Sequence, residues 1–155
     1  MPSMDGEAEF VEFARAVEPA LRIALVAGHG VDRGREAASD ALVYAWKHWD
    51  RVRKLDNPAG YLYRLAERSA RRRRVSRPVG LETQDHRHPW VEPRLSSALL
   101  ALSPRQRQVV VLIESYEWTQ AEVADFLGIG LSSVQTHLER GLAHLRRELR
   151  AWDHG

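Results

Sequence analysis

The sequence predicts an all-α chain, built as two small helical modules that are joined by a flexible linker. Apolar residues recur at three- and four-residue spacings in both halves, and no segment shows the strict alternation of a half-buried strand. Residues 75–95 interrupt this pattern with three prolines, a glycine and mixed charge, which is typical of a linker. We therefore assign residues 1–74 to the first module and residues 96–155 to the second.

The first module contains three predicted helices. The first covers residues 9–27 and ends at Gly28-His29-Gly30, because glycine accepts the backbone reversal that follows a helix. The second covers residues 33 to 48 and has Trp46 and Trp49 on its inner side; we expect Trp46 to pack in the module core, and the place of Trp49 stays open. The third begins at Asn57-Pro58, which pairs an N-cap residue with a proline suited to the first turn. Tyr61 and Tyr63 cannot both face inward on that helix, so at least one of them faces solvent or a partner.

The second module contains four predicted helices. A short one near Leu95 is followed by one that opens at Ser103-Pro104 and has an apolar face at residues 109–113. A third helix starts after Trp118-Thr119. The fourth runs from Ser132 to about residue 149 and buries Val134, Leu138, Leu142 and Leu145.

Composition and charge exclude several classes of protein. The chain has no cysteine, so disulfides, thiol nucleophiles and cysteine-bound zinc are absent. No stretch is long and apolar enough for a membrane span and the N-terminus is acidic, so we expect a cytoplasmic protein. The seven histidines lack convergent spacing, and His86 and His88 lie in a proline-bearing loop, so we predict no metal and no cofactor. Without a phosphate loop or a nucleophile motif, an enzyme is not expected.

The net charge of +2 is unevenly distributed. Residues 1–74 hold 14 Lys/Arg against 11 Asp/Glu, whereas residues 96–155 hold six against seven. The positive charge concentrates in Arg71–Arg74. Such a run is a footprint for phosphates, a solvated helix end or a generic basic tail.

Residues 119–140 satisfy the requirements of a helix-turn-helix in order. Ala124 is small enough for a close helix crossing, Gly128 tolerates positive φ in the turn, and Ile129 supplies an apolar plug. A tight helical hairpin in a bundle core is the alternative. The second helix would present a polar face to base edges and phosphates, formed by Ser132, Ser133, Gln135, Thr136, His137, Glu139 and Arg140.

The span from Leu102 to Leu149 resembles region 4 of bacterial sigma factors, especially the extracytoplasmic-function (ECF) group of actinobacterial type. The resemblance rests on Leu102-Ser103-Pro104-Arg105-Gln106-Arg107, on Gln120–Ala124, on Leu127-Gly128 and on Ser133–Gly141. Gln135 stands where the family usually has Lys, and His137 where it has Arg. Both differences remove a positive charge from the predicted DNA face.

The first module resembles sigma region 2. The resemblance implies that a helix including Ser39, Asp40, Val43, Tyr44 and Lys47 docks on core RNA polymerase, with Ser39 where Gln is usual. It also implies that the helix after Asn57 recognises and opens the minus-10 element. Tyr61 and Tyr63 would stack on splayed bases, and phosphates would be neutralised by Arg64, Arg68, Arg71 and Arg72.

These resemblances imply a sigma factor without catalytic activity, whose partners are core RNA polymerase, promoter DNA at the minus-10 and minus-35 elements, and an anti-sigma factor. Two alternatives stay open. A free-standing helix-turn-helix regulator would bind duplex DNA without polymerase, although the negative charge of residues 96–155 disfavours it. A sigma-like interaction module would bind polymerase or an anti-sigma partner without reading DNA.

Overall fold

The structure, a computed structural model, describes residues 2–76 and 93–153. Every regular element in these two ranges is helical, which confirms the all-α prediction. Most of the predicted linker, residues 77–92, lies outside the described residues, and so do His86 and His88. No helix within the described ranges is long and apolar enough to cross a bilayer.

The first module consists of α1 (Met4–His29), α2 (Val31–Lys47), the short α3 (Trp49–Val52) and α4 (Pro58–Ser76). Gly30 has a φ of 89° and reverses the chain between α1 and α2, as the glycine-bearing segment predicts. α4 begins as predicted, because the Asn57 Oδ1 accepts a hydrogen bond of 2.9 Å from the Gly60 amide. α1 extends beyond its predicted start, and Asp5 and Glu7 in its first turn suit the positive end of the helix dipole.

The second module consists of α5 (Pro93–Ala101), α6 (Pro104–Val110), a π-helical turn (Val111–Ser115) that continues α6, α7 (Gln120–Leu127) and α8 (Leu131–Asp153). The predicted starts of α6 and α7 each carry a complete capping box. Ser103 pairs with Gln106 at the start of α6, and Thr119 pairs with Glu122 at the start of α7. These local signals explain why the helix starts were readable from the sequence.

The two modules share one hydrophobic core. Leu21 and Leu62 from the first module lie in the same buried cluster as Val109 and Phe126 from the second. α1 contacts α6, and α4 contacts α7. A smaller cluster joins α5, α6 and α8 through Ala98, Leu102, Val110 and Leu145. The described residues therefore form a single packed unit in which α4 lies against the predicted DNA-binding module.

The place of Trp46 differs from the prediction. α2 ends at Lys47, so Trp49 opens α3 and turns under α1, where its side chain is 3% exposed. Its ring lies 5.4 Å from that of Phe10 and 5.0 Å from that of Phe13. Trp46 is only half-buried, with its ring 5.1 Å from Phe10. The core tryptophan is thus Trp49, because the helix break redirects it.

Candidate nucleic-acid interface

Residues 119–140 form a helix-turn-helix, with α7 as the first helix and α8 as the second. Gly128 ends α7 in the left-handed conformation at a φ of 69°. The Ile129 amide donates to the Ala124 carbonyl over 3.1 Å, and the half-buried Ile129 side chain packs on the core. Val123 and Val134 are fully buried and hold the two helices together. The turn chemistry predicted from the sequence is confirmed.

The outer face of α8 is exposed over its first three turns. Gln135, Thr136 and Arg140 face solvent, which confirms the orientation that the sequence predicts. Ser132, Ser133 and Glu139 are also exposed. Amide and hydroxyl groups that can both donate and accept hydrogen bonds therefore dominate the part of this face that would meet base edges.

His137 departs from the predicted face, because its side chain is half-buried. Burial lowers its pKa below the usual 6.5, and the positive charges of Arg105 and Arg140 lower the pKa further. The imidazole is therefore neutral near pH 7 and adds no positive charge to the surface. Of the seven residues predicted for this face, His137 is the one that the fold withdraws from solvent.

The residues predicted to bind the minus-10 element lie along α4, but α7 partly covers them. Asn57, besides capping α4, donates from Nδ2 to the Asp125 carbonyl over 3.1 Å. Tyr61 is half-buried, with its hydroxyl 3.4 Å from that of Tyr44. The predicted phosphate contacts all lie on the exposed side of α4, at Arg64, Arg68, Arg71 and Arg72.

Tyr63 contradicts its predicted role as a base-stacking residue in this arrangement. Its side chain is 0% exposed and its ring lies 5.1 Å from that of Phe126. The hydroxyl accepts hydrogen bonds from Gln108 Nε2 at 2.9 Å and from Arg105 at 3.2 Å. Burial raises its pKa to about 12, with a contribution from the negative charge of Glu67. Tyr63 lies on the same side of α4 as the core residues, so packing against α7 and α6 encloses it.

The residues predicted to dock on polymerase lie together on one side of α2. Ser39, Asp40 and Lys47 are exposed, and the Val43 side chain is 52% exposed. Tyr44 is half-buried and its hydroxyl accepts a hydrogen bond from Arg51. A single exposed apolar residue is ordinary on a protein surface, so the docking role of this side of α2 stays a prediction.

Three residues of α6 have structural roles that sequence reasoning missed. The Arg107 guanidinium donates to the carbonyls of Leu99 at 2.9 Å, Leu100 at 3.2 Å, Leu102 at 3.0 Å and Ala27 at 2.7 Å. Gln108 is 2% exposed and donates to the Ala24 carbonyl over 2.8 Å. Arg105 donates to Gln108 Oε1 over 3.1 Å. The available signal was the position of Gln108 one turn before the buried Leu112, within an otherwise apolar face.

No group of His, Asp and Glu residues within 2–76 and 93–153 is arranged to hold a metal ion. The exposed face of α8 and the exposed side of α4 offer hydrogen-bonding groups and arginines.

The sigma-70 region 4 family model matches residues 93–145. The ECF RNA polymerase sigma factor SigG of Mycobacterium tuberculosis is 28% identical, over 72% of this chain and 40% of that protein. The RNA polymerase sigma-E factor of Streptomyces coelicolor is 42% identical, over 38% of this chain and 33% of that protein. The chain thus spans about two fifths of the length of its SigG relatives.

A solved structure extends the likeness to both modules. The sigma factor RpoE of Bartonella quintana, crystallised with the anti-sigma factor NepR, matches with a TM-score of 0.66 at 20% identity. The match covers 92% of this chain and 97% of that chain, so the two share their fold. With a sigma-70 region 4 match at residues 93–145 and relatives that include SigG and sigma-E, the chain is similar to ECF RNA polymerase sigma factors.

Proposed function

We propose that this chain is a sigma factor that directs transcription initiation, and that α8 reads the minus-35 element in the major groove. The observation that carries the proposal is the exposed face of α8, which projects from an intact helix-turn-helix. Gln135 can bond to an adenine edge, and Thr136 and Ser132 can bond to bases or phosphates. Arg140 lies one turn further and suits a phosphate.

Core RNA polymerase is the proposed protein partner of the first module. Asp40, Val43 and Lys47 form an exposed strip along α2, with Ser39 at its start and Tyr44 at its edge. Residues 96–155 carry a slight negative charge, which weakens their attraction to DNA. Polymerase would supply further contacts to the DNA and so compensate for this weakness.

The minus-10 element is the proposed ligand of α4. Arg64, Arg68, Arg71 and Arg72 would contact phosphates, and Asn57 and Tyr61 would contact splayed bases. An anti-sigma factor is a further proposed partner, since the sigma factor of matching fold was crystallised with one. As in sigma factors generally, the chain would act without catalysis of its own, in the cytoplasm.

Run-off transcription with core RNA polymerase on a genomic DNA library tests the proposal. We expect specific transcripts that require the chain, and we expect Gln135→Ala to change which promoters are selected. Arg146→Ala, an exposed change on the same helix, is the matched control and should leave the selection unchanged.

Three outcomes would contradict the proposal. Specific duplex binding without polymerase, together with no transcription, would identify a free-standing regulator. Polymerase binding without transcripts would identify an interaction module. Failure to bind core polymerase at all would count against every role on α2.

A further inference from the structure

A row of exposed side chains along α8 presents a different chemical group at each position. Residues four positions apart on a helix lie on one side of it, about 6 Å from one another along the axis. The edge row, which begins at the first residue of α8, consists of Leu131, Gln135 and Glu139, and all three side chains are exposed. The proposed function uses Gln135 alone, so Leu131 and Glu139 are without a role.

Leu131 is the apolar member of the edge row. It is 47% exposed, whereas the leucines that pack on the smaller cluster from the same helix are Leu138, Leu142 and Leu145. A single exposed leucine is ordinary on a protein surface, but this one lies one helical turn before the residue that is proposed to read an adenine. The apolar group that the major groove presents is the C5 methyl group of thymine, so Leu131 suits a thymine.

Glu139 is the acceptor of the edge row. Its carboxylate lies on a face that is proposed to meet phosphates, which repel it and so weaken binding to every DNA sequence. Among residues 2–76 and 93–153, no hydrogen bond or ion pair holds this carboxylate, whereas the carboxylate of Glu122 caps α7. Of the four bases, cytosine alone presents a donor and no acceptor in the major groove. Glu139 therefore suits a cytosine, and it disfavours base pairs that offer it no donor.

The packing of α8 fixes the position of the edge row. Val134 is fully buried on the opposite side of the helix. A Cβ atom at Gly141 would lie 2.7 Å from Val110 Cγ2, so α8 lies directly against α6 at this point. In C2H2 zinc fingers, residues three or four positions apart on the recognition helix contact successive base pairs. The spacing of the edge row therefore matches three successive base pairs.

We propose that the edge row reads three successive base pairs of the minus-35 element, with Leu131 on the methyl group of a thymine, Gln135 on an adenine and Glu139 on the amino group of a cytosine. The inference rests on the proposed function of α8. Glu139 offsets the charge of its neighbour Arg140, so binding by this face depends on matched bases more than on a general attraction to phosphates.

The first test selects promoters from a library with a randomised minus-35 region, by run-off transcription with core RNA polymerase and the full chain. We expect the natural chain to select a thymine, an adenine and a cytosine at successive base pairs. Leu131→Ala should relax the selection at the thymine alone. Glu139→Gln should move the preference at the third pair from cytosine to adenine by about tenfold, because an amide bonds bidentately to adenine. Arg146→Ala, an exposed change on the same helix, should select as the natural chain does.

The second test removes the thymine methyl group from the promoter. Deoxyuridine in place of the selected thymine lacks only this group, and the loss of one buried methyl contact predicts a decrease in transcription of about fourfold for the natural chain. Leu131→Ala should give the same yield from both templates. If Leu131 served only the fold, the two proteins would show the same ratio of yields. Circular dichroism checks that the variants keep their helices.

An unchanged base preference in Glu139→Gln, or the same ratio of yields in the natural chain and in Leu131→Ala, would overturn the inference. A chain that starts promoter-specific transcripts but gives either result keeps its proposed function and loses only the edge row as its reader. If the chain starts no transcripts, the purified chain makes the same selection from duplex DNA. Absence of the thymine, adenine and cytosine preference there would overturn the inference together with the proposed function.

Discussion

Alkaline pH is expected to destabilise the protein through the Tyr63 hydroxyl. Burial raises the pKa of this group from 10.0 to about 12 in the folded protein. The folded state therefore holds the phenolic proton more tightly than the unfolded chain does. Its contribution to stability is fully present below pH 10, where both states are neutral, and it is lost as the pH rises toward 12. A difference of about two pKa units corresponds to about 3 kcal/mol, of which roughly half is lost by about pH 11.

The assay is urea unfolding followed by circular dichroism at about pH 9 and about pH 11, for the natural chain and for Tyr63→Phe. The variant keeps the ring against Phe126 but lacks the titrating group. We expect the natural chain to lose about 1.5 kcal/mol more than the variant over this interval. Tyr61, whose pKa is also raised, is present in both proteins, so its effect cancels.

Equal losses in the two proteins would refute the reasoning. That result would mean that Tyr63 is hydrated, and that α7 does not cover α4 in solution. A second readout is the absorbance of ionised tyrosine, since one of the four tyrosines should titrate last and be absent from the titration of Tyr63→Phe.

Three further predictions concern the proposed surfaces and the fold. Val43→Glu should leave the helical content unchanged but lower the affinity for core polymerase at least about tenfold in a pull-down, because a charge would be buried in the interface; undiminished binding would remove α2 from the docking surface. Arg140→Ala should reduce the salt dependence of promoter binding by about one unit of slope, whereas Arg150→Ala should not; equal slopes would place Arg140 away from phosphate. Thr119→Ala should lower the free energy of unfolding by about 1 kcal/mol in urea, because the cap of α7 is lost; unchanged stability would mean that the capping box is dispensable.

The starts of α4, α6 and α7 and the end of α7 were predictable because local rules determine them. Capping at Ser103 and Thr119 involves residues only three positions apart, and the left-handed residue at Gly128 ends α7 within a single turn. The exposed side of α8 follows from helical periodicity once Val134 is placed inside. These rules depend on neighbours along the chain, which the sequence displays directly.

Local rules did not predict that Tyr63 is buried. They also did not predict that Trp49, rather than Trp46, packs in the core. Periodicity showed only that one of Tyr61 and Tyr63 must be out of the core, and it could not say which. The break between α2 and α3 at His48 determines which tryptophan is buried, because it turns the side chains that follow it in a new direction.

The sequence alone determined the helical class, the starts of α4, α6 and α7, and which side of α8 is exposed. Only the tertiary structure decided that α7 covers α4, and that Gln108 joins the two modules. The physical reason is distance along the chain. Gln108 meets Tyr63 across 45 positions and Ala24 across 84, so these contacts depend on how whole helices pack and leave no periodic trace in either segment.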